Sequence, residues 1–171
     1  MILTDIQTIQ KWIDLEKQIY QKSGIQPSVY NTDGIGITDY KQWANRLCPA
    51  IKATADGQTF ICAAAHTNMA AMAQKNRKPV IEECDAGLLK IVVPIFAGDQ
   101  FVGAAGGCGL LPVDGEVDTF MINKTTEIEE KKIQALSTDI GFLSMASARE
   151  LADFIAGEIH RITAKFEAAH A

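Results

Sequence analysis

Histidine, tryptophan and aromatic residues in general are scarce here. The 171-residue chain has three histidines, two tryptophans and 7% aromatic residues. Of the three, His160 and His170 fall on a C-terminal helical stretch where solvation is expected. A basic excess is also missing: 16 Lys and Arg stand against 21 Asp and Glu, a net charge of −5. Nucleic-acid binding, which needs a basic face, is therefore not expected. No apolar run approaches the roughly 18 residues of a membrane-spanning helix, so membrane insertion is not expected either. The opening residues MILTDIQTIQKWI lack the basic start and apolar middle of a signal peptide, which makes the cytoplasm the expected compartment. There is no internal repeat and no linker rich in Pro, Gly or Ser. The glycine-rich GAAGGCG lacks the Lys-Ser/Thr of a phosphate loop and the spacing of a dinucleotide fingerprint.

The chain does have apolar content and cysteine. At 47% hydrophobic and 22% charged it has globular composition and enough length for one core. Four cysteines, Cys48, Cys62, Cys84 and Cys108, are expected as thiols or metal ligands in a reducing compartment. None forms a CxxC pair, which removes the local signature of a zinc ribbon or ferredoxin.

The pattern centres on Cys84 to Leu111. Leu88 to Phe96 is apolar apart from Lys90 and Pro94, Gly98-Asp99 marks a turn, and Phe101 to Leu111 is a second apolar run. This predicts a hairpin in the middle of a sheet. It also predicts that Cys84 and Cys108 lie side by side, with Gly103, Gly106, Gly107 and Gly109 leaving room for a bend, a bulge or a ligand. One parity of Ile91, Val93, Ile95, Val102 and Ala104 is expected to line a cavity.

Before this hairpin, Thr4 to Lys22 has a helical stripe ended by Ser23-Gly24, and Asp33-Gly34 between Ser28–Tyr30 and Gly36–Thr38 predicts another hairpin. Tyr40 to Ala55 is helical in spacing, with a break expected near Cys48-Pro49. Thr59 to Lys75 is helical too, with Cys62, His66 and Met69 on one face. Toward the end, Glu127 to Leu136 and Ser147 to Phe166 are predicted helices, the second with capping-box spacing at Ser147 and Glu150. The resulting expectation is an α+β fold of PAS or GAF type: an antiparallel sheet, helices on one face and a long C-terminal helix. The expected division is a domain over 1–125 and a helical extension over 126–171.

The candidate ligand-binding residues are Cys48, Cys62, His66, Cys84, Cys108, Ala104 and Gly106. Free cysteine is often simply a small buried hydrophobe, but the expected fold lets all four converge on one cavity. The four thiolates are the candidate ligands of zinc or an iron–sulfur cluster. An enzyme using one activated cysteine with His66 as base is a third reading, but it has no orienting acid. Leu151, Ile155, Ile159, Ile162 and Phe166 form an apolar stripe whose end has no strands left to cover in its own domain, so a homodimer through the C-terminal helix is expected.

VYNTDG, NRLCPAI, FICAAAH and above all ECDAGLLKIVVPI followed by GDQFVGAAGG resemble the PocR sensory domain over roughly residues 4–125. The resemblance implies a PAS-like, non-enzymatic sensory module of bacterial signalling proteins that takes small hydrocarbon derivatives such as diols. Cys48, Cys62 and Cys84 match cysteine positions of the family, and Gly87, Leu88, Pro94 and Ile95 match its strand. Asp85 stands where the family often has His, and Cys108 where it usually has a polar residue, which adds a fourth sulfur. With no DNA-binding, kinase or methyl-accepting segment in these residues, the output partner is expected to be a separate protein.

Overall fold

The computed structural model describes residues Met1–Ala171. Its elements follow the order α1 (Leu3–Ile6), α2 (Ile9–Ser23), β1 (Gln26–Tyr30), α3 (Leu47–Lys52), a π-helical stretch Gly57–Ala63, α4 (Ala64–Asn76), β2 (Val80–Glu83), β3 (Leu89–Ala97), β4 (Gln100–Pro112), α5 (Thr119–Thr126), α6 (Glu130–Ser137), β5 (Phe142–Leu143) and α7 (Met145–Ala169). The fold is α+β. Strands run antiparallel in the order β1-β4-β3-β2, and the two-residue β5 lies parallel to the end of β4.

The central hairpin forms around Gly98-Asp99 as its apolar strands require: β3 and β4 pair from Ala97↔Gln100 back to Leu89↔Leu110. Eight of the nine β3 residues are buried, because both faces of the sheet are covered. Successive side chains alternate between those faces. Ile91, Val93 and Ile95 join the main core with Trp12, Leu15 and Ile19 of α2 and Leu151, Ile155, Ile159 and Ile162 of α7. Val92 faces the other way, with Val80, Ala104, and Met69 and Ala73 of α4.

This division changes the reading of α7. Its stripe is buried across the sheet of its own chain, Ile155 at 0% and Ile162 at 9% exposure. Leu151, Ile155, Ile159 and Ile162 are thus covered within the chain, while Phe166 at the end of the stripe is half-buried; the face that inner helices leave open is the face α7 fills. Residues 126–171 also supply Ile133 and Ile140 to a second cluster with Leu47, Ile51, Ile61, Ala86, Leu88 and Leu111.

Several local expectations shift for identifiable reasons. Asp33-Gly34 does turn the chain, with Asn31 Oδ1 accepting from the amides of Asp33 and Ile35 at 3.0 Å each. Only the single bridge Tyr30↔Gly36 follows it, because β1 pairs with β4 instead. A buried carboxylate anchors that strand: Glu16 accepts from the Val29 amide (2.9 Å) and the Thr38 hydroxyl (2.6 Å). The helix expected over Tyr40 to Ala55 is confined to α3, where Pro49 sits in the first turn and its missing N–H costs nothing. The helix start expected at Ser147 lies at Ser144, whose hydroxyl accepts from the Ser147 amide at 3.0 Å.

Candidate functional site

The β-sheet register aligns a row of side chains across one face. Gln26 of β1 pairs with Cys108 of β4, Cys108 with Lys90 of β3, and Lys90 with Glu82 of β2. The first three line a cavity of about 80 Å³ under α3, the π-helical stretch and the start of α4. The remaining walls come from Tyr30, Trp43, Cys48, Ile51, Lys52 and Gln58 on one side, and Cys62, His66, Cys84, Ala86 and Leu88 on the other. An apolar cavity of about 150 Å³ takes a benzene ring, so this one suits a guest of roughly three to five non-hydrogen atoms.

All four cysteines line the cavity, each half-buried and none in a disulfide. They arrive by different routes. Cys108 comes from the central strand, and its cross-strand neighbour is Lys90, not Cys84 as the hairpin alone suggested. Cys84 lies one residue beyond β2, in a turn closed by its amide donating to the Leu88 carbonyl at 2.9 Å. Cys62 comes from the π-helical stretch, and Cys48 from the second position of α3. Asn45 fixes Cys48 from both sides: its Oδ1 accepts from the Cys48 amide (2.7 Å), and its Nδ2 faces the Cys48 sulfur (3.3 Å) and donates to the Gly109 carbonyl (2.7 Å). Gly109 has φ +106°, and a Cβ there would stand 2.9 Å from that of Ala44, so glycine is what lets this loop approach β4.

His66 lies one turn beyond Cys62 and is buried with its ring 4.0 Å from that of Tyr30, centre to centre. Its Nδ1 is buried with no hydrogen-bond partner. Burial, with Lys90 and Lys52 nearby, lowers its pKa to about 4, so the imidazole is neutral near pH 7. Burial likewise raises the thiols of Cys48 and Cys84, and carries Cys62 up to about 11. These are protonated thiols rather than activated nucleophiles.

Two candidates from the sequence lie outside the cavity. Ala104 shares its face of the sheet but is covered by α4, packed with Met69, Ala73 and Val92. Gly106 occupies the row between, where an added Cβ would run into the Ile91 carbonyl; its missing side chain admits β3 rather than a ligand. Ile91, Val93 and Ile95 face the α7 side instead. The four sulfurs line one wall system without forming a preassembled metal site: no three His, Cys, Asp or Glu side chains stand close enough together to hold an ion.

Sequence reasoning passed over Lys90, the most unusual residue present. It is 5% exposed, and its ammonium stands 5.4 Å from the centre of the Tyr30 ring. The ion pairs of the chain are Arg46–Asp139, Arg77–Asp99 and Arg161–Glu158, and none involves Lys90. Burial works against its charge, while Tyr30, Cys108, Cys84 and Cys62 favour it in their ionised forms, and the balance holds the pKa above the usual lysine value. The signal was visible as one charge inside the strand LKIVVPIFA, since a lysine in a strand buried on both faces is expected to answer something inside.

No helix is long and apolar enough to cross a membrane. A search of curated proteins returns no match. The family model described as the sensory domain found in PocR matches residues 3–164, from the start of α1 to within α7, and so takes in the sheet, the cavity and the helix that closes the second face. The chain belongs to the PocR sensory-domain family.

Proposed function

We propose that this protein is a non-enzymatic sensory domain that takes a small organic molecule into the cavity between the sheet and α3–α4, and passes the bound state to a signalling output. The observation that carries this reading is a partly open cavity of mixed apolar and polar lining at the row Gln26–Cys108–Lys90, in a chain of a sensory family. Elevated thiol pKa values and an imidazole without an orienting carboxylate argue against cysteine catalysis.

The test is thermal unfolding against a panel of two- to four-carbon alcohols, diols, amides and acids at millimolar concentration. A ligand that binds only the folded state raises Tm, the stabilisation growing with the logarithm of its excess over Kd. At least one compound should raise Tm in the natural protein and fail to do so in Ala65→Leu, which adds three carbons at the cavity wall. No compound raising Tm, or shifts equal in both proteins, would overturn the reading.

The second reading, a zinc or iron–sulfur centre for redox or oxygen sensing, draws on the four cysteines sharing one cavity. It requires the sulfurs to draw together and lose protons from thiols whose pKa values burial has raised. Anaerobic purification with metal and sulfide analysis separates the two: stoichiometric metal lost in Cys84→Ser would favour the centre.

A further inference from the structure

The cavity's charge is one-sided. The chain as a whole is acidic, with 21 Asp and Glu. Yet no Asp or Glu lines the cavity, while Lys90 and Lys52 both do. Lys52 is half-buried and has its ammonium 5.8 Å from the centre of the Trp43 ring, near the surface. Lys90 is interior. Glu82, directly across from it on β2, is exposed and makes no ion pair with it. A buried ammonium without a counter-charge is costly, and native proteins pair such groups or bind an ion with them.

A second, independent vacancy lies beside it. His66 Nδ1 is buried with no partner, on a ring that also lines the cavity, and buried polar atoms in folded proteins are nearly always satisfied. The lining also includes apolar side chains: Ile51, Ala86 and Leu88 are each 1% exposed. A guest that answers both halves has a compact negative end able to accept hydrogen bonds and a short hydrocarbon end.

Resting on the reading that this cavity is the ligand site, we infer that it takes a short-chain carboxylate, its charged end paired with Lys90 and its hydrocarbon end laid against Ile51, Ala86 and Leu88. The carboxylate accepts from the ammonium and from the neutral imidazole of His66, and gives the buried charge its counter-ion. The small cavity volume limits the chain to a few carbons. A phosphate answers the charge but leaves the apolar wall bare, and a neutral diol answers the wall but leaves Lys90 unpaired.

The probes are propionate, its neutral isostere propionamide, 1,2-propanediol and inorganic phosphate, each titrated calorimetrically at pH 7. A charge-assisted hydrogen bond implies that propionate binds at least about tenfold tighter than propionamide. Lys90→Met should remove that preference, bringing the affinities for propionate and propionamide to within about twofold of each other. The propionate–propionamide comparison in the natural protein needs no variant, so it stands even if Lys90→Met fails to fold. Equal affinities for the two, or preferential binding of the diol, would overturn the carboxylate while leaving the ligand cavity in place. Preferential phosphate binding would overturn it in favour of an inorganic anion. A thiolate absorbance at pH 7 that disappears in Lys90→Met would show that a cysteine sulfur is the counter-ion, and would overturn it as well. No binding of any probe overturns the inference, whereas the cavity reading is then judged by the wider panel and Ala65→Leu.

Discussion

Acidifying the protein should load His66 against the fold. Its pKa is lowered to about 4, from 6.5 when freely solvated, by burial first and then by Lys90 and Lys52. Between those values the unfolded chain binds a proton at this site and the folded chain does not. Folding stability therefore falls as pH drops from 6.5 toward 4, and is insensitive to this group above 6.5. At about 1.4 kcal/mol per pH unit the full penalty is about 3.5 kcal/mol. Solvent reaching the cavity screens part of it, so about 2 kcal/mol is expected. Other carboxylates titrate in the same range, which makes the informative quantity a difference. Urea midpoints of the natural protein and of His66→Gln, measured at pH 7.0, 5.5 and 4.5, should diverge as pH falls, with the natural protein losing more. A proton NMR titration of the His66 ring supplies the direct reading. Denaturation curves that stay parallel down to pH 4.5, or a His66 resonance moving with a midpoint of 6 or above, would refute the reasoning.

Ile155→Ala should cost about 2–5 kcal/mol in urea unfolding, because Ile155 is fully buried between α7 and the sheet. Ile162→Asp, which places a carboxylate in the same cluster, should lower the unfolding free energy by roughly 3 kcal/mol or more without changing the sedimentation mass; a drop from twice the chain mass to one would restore helix-mediated dimerisation. Gly106→Leu should abolish folding, seen as loss of cooperative thermal unfolding, since any side chain there meets the Ile91 carbonyl; a folded variant that merely loses ligand binding would show the glycine guards the cavity after all. Iodoacetamide alkylation of Cys62 should be slow at pH 8 and accelerate toward a pKa of about 11, and a fast reaction at neutral pH would contradict the burial of its thiol.

What the residues determined on their own was mostly local or periodic. The hairpin around Gly98-Asp99 was legible because turn chemistry and two apolar runs agree over a short stretch. The α7 stripe was legible because its apolar spacing repeats over many turns. Cys48, Cys62, His66, Cys84 and Cys108 could be named as candidates by residue type. Their arrival at one cavity depends on Cys84 lying in a turn after β2 and Cys108 beside Lys90, which are matters of register. Spacing cannot tell which strand a strand pairs with: Ser28–Tyr30 looked like half of a hairpin, and the sheet used it as the partner of β4. Nor can periodicity say what covers a stripe, and only the tertiary structure places α7 on its own sheet rather than on a second copy. Ala104 is the same kind of case. Its parity was right for the cavity face, but α4 lies over that stretch of the sheet, two rows from Cys108. The charge of Lys90 was in the sequence throughout. Its isolation was not, because whether a buried ammonium has a partner depends on the side chains that long-range pairing brings around it.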